Sequence, residues 1–166
     1  MNQFVYADME YMSLICDILD NKSFRRLAEY HQHLGTSRLQ HSIHVSYLAW
    51  KLARLCSADE VCAARAGLLH DFCLYDFHAP DKHCEFIKHP FKAAENTQRH
   101  FFISEKEYAA IVSHMFPAGP MPTSAAGWLI TIADKICAVQ EFWTGFVTLL
   151  RSNVYLHQIQ EVSAAA

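Results

Sequence analysis

The sequence predicts an all-α fold of about seven to eight helices, and three observations carry that reading. Apolar residues recur at spacings of three and four along most of the chain, the period of a helix with a buried face. The alternating polar and apolar runs that a half-buried strand needs are nearly absent. Small polar residues that can cap a helix stand before several of the periodic segments.

Residues 9–19 and 23–30 read as two short amphipathic helices. Gly35 marks a stop, and Thr36-Ser37 offers an N-cap for a long third helix that reaches about Leu55. Ser57-Ala58-Asp59-Glu60 has the capping-box spacing, so a fourth helix is expected from there to about Cys73. The stretch from Tyr75 to Lys88 reads as a loop. Pro90, a favourable first-turn residue, opens a helix to about Phe101. Ser104-Glu105-Lys106-Glu107 repeats the capping signature and begins a helix that ends near His114. Pro117, Gly119, Pro120 and Pro122 then make a loop. From Ser124 to about Phe142 a helix is apolar on nearly every face, and a last helix is expected from Thr144 to His157, before an Ala-rich tail.

The 166 residues are 52% hydrophobic and 19% charged, which suits a single domain over 1–166 with one apolar core. A net charge of −3 and the lack of a long basic cluster argue against duplex nucleic acid as a partner. Six cysteines contain no Cys-x-x-Cys pair and are read as buried reduced thiols. Residues 1–20 carry Asp8, Glu10, Asp17 and Asp20 rather than a basic leader, and the longest apolar stretches fall short of the ~20 residues needed to span a bilayer. A cytoplasmic protein with no membrane partner is expected. The unusual figure is eleven histidines, most of them between 31 and 114; imidazole is the commonest metal ligand.

On the third helix His41, Val45, Leu48, Leu52 and Leu55 recur at spacings of four and three, placing His41 on the stripe expected to face the core. Alone, His41 reads as a core histidine bonded to a carbonyl. His44, nearer the edge of that stripe, reads as a surface residue. The fourth helix is almost wholly apolar until His70 and Asp71, and an ionised aspartate there needs a partner. The negative end of the helix dipole does not supply one. Either a cation or a local salt bridge, for example with Arg65, would. Asp134 interrupts Trp128-Leu129-Ile130-Thr131-Ile132-Ala133 on one side and Ile136-Cys137-Ala138-Val139 on the other. Adjacent helical residues do not face each other, so Lys135 is not its natural partner. Metal ligation, or a salt bridge from Arg38 or Arg65, would satisfy it. His89, just before Pro90, is expected in an extended residue at a helix entrance, and His114 at the exit of the next helix; both can point at one site. His31, His33, His78, His83, His100 and His157 read as surface residues, His33 having the best claim among them to a site role.

Taken in order, His41-Ser42-Ile43-His44-Val45, Ala66-Gly67-Leu68-Leu69-His70-Asp71 and Ala133-Asp134-Lys135 resemble the HD-domain metal-dependent phosphohydrolase superfamily over about residues 36–140. The resemblance implies a helical bundle in which His41, His70, Asp71 and Asp134 bind a divalent metal. His89-Pro90 and His114 look like the extra ligands of two-metal members, which would make Asp71 the bridge between two ions. Iron or manganese is favoured, while cobalt, nickel and zinc also suit mixed imidazole and carboxylate ligation. Many members continue as His-Asp-x-Gly-Lys, whereas this chain reads His70-Asp71-Phe72-Cys73-Leu74, so the basic residue expected at 74 is missing. The segment is similar to that of small bacterial HD proteins.

The implied activity is hydrolysis of a phosphate ester, of a nucleotide or another small phosphorylated metabolite, by metal-activated water. Asp71 and His70 would stand at the catalytic centre. Arg38, one turn before His41, and Lys135, beside Asp134, are candidates to clamp the phosphate. Phe72, Tyr75 and Phe77 could stack on a ring, or simply be core. An HD-type di-iron oxygenase uses a similar ligand set, and a nucleotide-binding module without turnover is the other alternative.

Overall fold

A computed structural model describes residues 2–33, 35–75 and 83–164. The described residues are all-α apart from one small hairpin. Helix α1 spans Asn2–Ala7 and α2 spans Met9–Leu19, the latter capped by Asp8, which accepts from the Tyr11 amide. Helix α3, Lys22–Arg25, starts at Asn21, whose side chain accepts from the amides of Ser23 and Phe24, and runs into a 3-10 turn over Arg26–Glu29. Strands β1 (His31–His33) and β2 (Thr36–Ser37) pair antiparallel next to Gly35, whose φ of +81° is the left-handed conformation glycine adopts freely. Alternation gave no hint of so short a pair.

Helix α4, Arg38–Leu55, begins with a reciprocal box: the Ser37 hydroxyl accepts from the Gln40 amide and the Gln40 side chain accepts from the Ser37 amide. Helix α5 is Glu60–Leu69. Its cap is Asp59 rather than the expected Ser57, which sits at φ 52° outside the helix. The helix also stops earlier than Cys73, with His70 at its C-cap, so Asp71 lies in the turn beyond. Helix α6, His83–His100, starts seven residues before Pro90 and carries that proline inside it. Residues 83–88 of the expected loop are therefore helical, as is His89, which was expected to be extended; 76–82 lie outside the described residues. Helix α7, Glu105–Ser113, has the predicted Ser104 and Glu107 box, with His114 as its C-cap. Helix α8 is continuous from Ala125 to Ala164, 40 residues and roughly 60 Å, where two helices were expected; Gly145 does not break it.

Helices α4 and α5 pack against each other at the centre, and α8 lies against both. Small residues make that crossing tight. The buried face of α4 reads Ser42, Ser46, Ala49 and Ala53, and α5 offers Ala63, Ala64, Ala66 and Gly67. The buried stripe of α4 thus differs from the leucine stripe read from spacing. Leu48 and Leu52 are half-buried and Leu55 is exposed, because alanine and serine admit the neighbouring helix. Tyr11, Ile15, Ile18, Phe24, Leu27, Trp50, Leu68, Leu69 and Phe72 form the bulk of the core. Phe72 is fully buried against Phe24 and Phe101, so it is core rather than a stacking platform. Phe77 lies outside the described residues.

Arg65 binds Asp17 through two nitrogens, at 2.7 and 2.9 Å, donates to the Leu14 carbonyl and sits 3.5 Å from Glu107. It ties α2, α5 and α7 together and is engaged away from Asp71. Cys62, Cys73 and Cys137 are buried as expected, but Cys16 and Cys56 are exposed. No helix among the described residues is long and apolar enough to cross a membrane.

Candidate metal centre

Five helices bring six side chains to a single buried focus. From α4 comes His41, fully buried; from the end of α5, His70 and Asp71; from α6, His89; from the end of α7, His114; and from α8, Asp134, partly buried. Two triplets have ligand atoms all within 4.8 Å of one another: His41, His70 and Asp134, and His70, Asp71 and His114. His89 joins the second, its Nε2 lying 3.0 Å from Asp71 Oδ1 and 3.0 Å from His114 Nε2. His70 stands between the triplets, with Nε2 3.6 Å from Asp71 Oδ2 and 3.7 Å from Asp134 Oδ1.

Local backbone geometry aims two of the imidazoles. His70 Nδ1 donates to the Gly67 carbonyl at 2.8 Å, and His114 Nδ1 donates to the Ile111 carbonyl at 2.7 Å, each bond spanning three residues at a helix end. Both rings therefore turn Nε2 toward the focus. His41 is aimed differently. Its Nδ1 lies 3.0 Å from Glu141 Oε2 and its Nε2 lies 3.0 Å from Asp134 Oδ1.

Burial alone would push the His41 imidazolium down, but the hydrogen bonds with Asp134 and Glu141 outweigh it and raise the group to about 10. Burial likewise opposes the charge on His70, and the carboxylates of Asp71 and Asp134 overcome it, raising its pKa. Asp71 and Asp134 are held well below the ordinary range against their own burial, Asp71 by His70 and His89, Asp134 by His41 and His70. His114 is pushed down to about 3 by burial and by the imidazoles of His70 and His89, so it is neutral with Nε2 bare.

This donor set fits a divalent cation. His70 Nε2 and Asp71 Oδ1 are buried and accept or donate no well-aligned hydrogen bond; Asp71 Oδ1 has His89 near it but out of line. Leaving such atoms bare inside a protein is unfavourable by about 1–3 kcal/mol each, and more for a charged group. Imidazole nitrogens and carboxylate oxygens are the ligands that first-row divalent metals take.

Two participants were not read from the sequence. Glu141, 8% exposed, bridges His41 Nδ1 and His44 Nδ1, the latter at 3.1 Å. His44 is therefore a half-buried partner of the site's frame rather than a surface residue. Glu141 lies seven positions beyond Asp134, two turns along one helix face, which is the signal that could have found it. Gln32 donates to Asp71 Oδ2 at 2.6 Å and accepts from Arg38 Nε at 3.0 Å. Nothing local in the sequence marks it.

Arg38 is not where a phosphate clamp was expected. It is fully buried, and its Nη1 donates to the Cys73 and Tyr75 carbonyls at 2.6 and 2.9 Å while the guanidinium lies over the Tyr30 ring. It braces the turn that holds Asp71, and reaches Asp71 through Gln32. Lys135 Nζ donates to the His114 carbonyl at 3.2 Å and, despite being adjacent on the helix, comes within 3.8 Å of Asp134 Oδ2. His31 and His100 are exposed, as expected. His78 lies outside the described residues, as do the side chains of His33, His83 and His157.

No curated protein and no solved structure matches the chain. A family model, the HD domain, matches residues 38–139, a span that starts at Arg38 and includes all six converging residues. The match covers more than half the sequence and its ordered histidines and aspartates meet at one point in the fold, so the chain belongs to the HD-domain family.

Proposed function

We propose that the protein is a metal-dependent phosphohydrolase that cleaves a phosphate ester of a nucleotide or another small phosphorylated metabolite, using two divalent ions. The observation that carries this reading is the pair of buried, unsatisfied ligand atoms, His70 Nε2 and Asp71 Oδ1, lying between two triplets of donors. His41, His70, Asp71 and Asp134 would hold the first ion, and Asp71, His89 and His114 the second, with iron or manganese favoured over cobalt, nickel or zinc. Divalent ions held there supply Lewis-acid polarisation of a phosphoryl oxygen and activation of water near neutral pH.

The chain's own residues do the rest. Glu141 accepts from His41 Nδ1 and keeps that ring's Nε2 directed at Asp134. The Gly67 and Ile111 carbonyls do the same for His70 and His114. Gln32 and Arg38 hold Asp71 Oδ2, leaving Oδ1 toward His89 and His114. Lys135, which donates to the His114 carbonyl and lies close to Asp134, remains our candidate to meet an incoming phosphate.

The test is metal content after anaerobic purification, paired with a screen of phosphomonoesters and phosphodiesters. Two ions per chain and oxygen-independent release of phosphate or alcohol are expected. Asp71→Ala should empty both positions, while His89→Ala and His114→Ala should each leave one ion. Wild-type metal content in the His89 and His114 variants would refute the two-ion arrangement. Oxygen uptake without ester cleavage would refute the hydrolase, as would tight nucleotide binding without turnover.

A further inference from the structure

Helix α8 is apolar on two opposite sides. One side carries Ala126, Ile130, Ala133 and Cys137 into the core, together with Asp134 and Glu141 toward the site. The other carries Ile132, Ile136, Val139, Trp143 and Phe146, which are from 40% (Phe146) to 70% (Val139) exposed. An apolar face of this kind on a helix of a water-soluble fold calls for a cover.

From this face we infer that the protein is a two-fold symmetric dimer in which the outer face of α8 packs on the same face of a second copy. Four features select a second copy as the occupant. The five residues are spaced four, three, four and three apart, the 3.5-residue seam by which helices pair with one another. A two-fold interface uses one patch twice, so it must tolerate itself; between Ile132 and Leu149 the charged residues are Asp134 and Glu141, both turned inward toward His41, and Lys135, at the edge of the face with its Nζ on the His114 carbonyl. The face is shallow and open rather than walled, with Ile136, Val139, Gln140 and Trp143 on it and Lys135 at its edge, so the side chains of a facing helix can lie directly on it.

Area is the fourth. With Trp128 and Phe142 added, the exposed parts of these side chains amount to on the order of 700 Å² of apolar surface. That is above the ~300–600 Å² of the largest patch on an ordinary monomer and close to the ~800 Å² each partner gives to a stable interface. Aromatic enrichment with charge depletion is the composition of an interface centre. A membrane surface is a poor occupant, because helices that lie on anionic lipid carry Lys and Arg along their polar face. None occurs between Lys135 and Arg151.

Sedimentation velocity of the full chain across a concentration series tests the inference. The wild type should sediment at twice its 19.0 kDa chain mass. Val139→Glu should return it to the single-chain mass with the helical circular dichroism unchanged. Trp143→Ala, a milder change that keeps the face uncharged, should weaken the dimer by ~30-fold or more, as loss of a central aromatic does. Phe102→Glu, which alters an exposed residue outside α8, should leave the dimer intact. A wild type that stays at 19.0 kDa to high micromolar concentration overturns the inference. So does a dimer that survives both α8 substitutions, or a single chain that partitions onto neutral or anionic vesicles.

Discussion

Replacing Gly67 by alanine puts one methyl group where α4 and α5 cross. A Cβ at this position would stand 3.1 Å from Ser46 Cα, 3.6 Å from the Ser46 nitrogen and 3.7 Å from Ala49 Cβ. The nearest atom is backbone and cannot rotate aside. Ser46 is also pinned, since its hydroxyl donates to the Ala64 carbonyl at 2.6 Å and accepts from the Tyr11 hydroxyl at 2.7 Å. At an open helical site Gly→Ala would stabilise by about 1 kcal/mol. Overpacking a tight contact is unfavourable by about 1–3 kcal/mol, so the expected net change is a loss of about 1 kcal/mol. The same separation moves His41, on α4, relative to His70 and Asp71, at the end of α5. The Gly67 carbonyl itself anchors His70. Urea unfolding of the metal-free protein and a metal titration of the folded protein measure the two effects. Affinity should fall together with stability. A variant stabilised by about 1 kcal/mol, with wild-type metal affinity, would show that the crossing has slack and that helix propensity alone governs the position.

Glu141→Gln keeps a hydrogen-bond acceptor beside His41 but removes the charge, and should lower metal affinity ~10-fold, measured by competition with a chromophoric chelator. Acid should destabilise the chelator-treated protein. Burial alone would raise Glu141, yet His41 and His44 hold it down to about 2; the stability it contributes is full above the ordinary glutamate range, ~4.3, and is lost as pH falls toward 2. Urea midpoints between pH 6 and pH 3 should therefore decline, and less steeply in Glu141→Gln, with Asp71 and Asp134 supplying the remaining slope. Cys62, Cys73 and Cys137 have thiols pushed up to about 12 by burial, so at pH 8 their thiolate fraction is ~1,000-fold below that of an ordinary cysteine. Maleimide labelling of the native protein, read by peptide mass spectrometry, should mark Cys16 and Cys56 quickly and those three only after unfolding.

What could be read in advance depended on how local the cause was. Asp134 and His70-Asp71 were legible as groups in need of a partner because each interrupts or ends an apolar helix, while the engagement of Arg65 with Asp17, which removes the local partner of Asp71, was not. Ser37 and Ser104 were legible as caps since their partners are three residues away. Ser57 misled because Asp59, two residues later, competes for the same role and wins. Pro90 read as a helix start, and only the placement of His83–Lys88 shows it inside α6. Glu141 was passed over among aromatic residues, its bond to His41 closing across a hundred residues of sequence. The setting of Arg38 was out of reach for a similar reason. The carbonyls of Cys73 and Tyr75 that capture it belong to a turn whose path no spacing rule predicts.

The carbonyls of Gly67 and Ile111 show how much of the centre is set by local chain geometry. In each case a histidine directly after the last helical residue is fixed by a bond to its own helix, three residues back. The choice of tautomer is made within one turn of chain. The bond involves no residue from another element, and it leaves the second nitrogen facing the focus. Such an imidazole is a prefabricated part. Two of them, at the ends of α5 and α7, take their orientation from their own helices, so the packing of those helices sets only the distance between them.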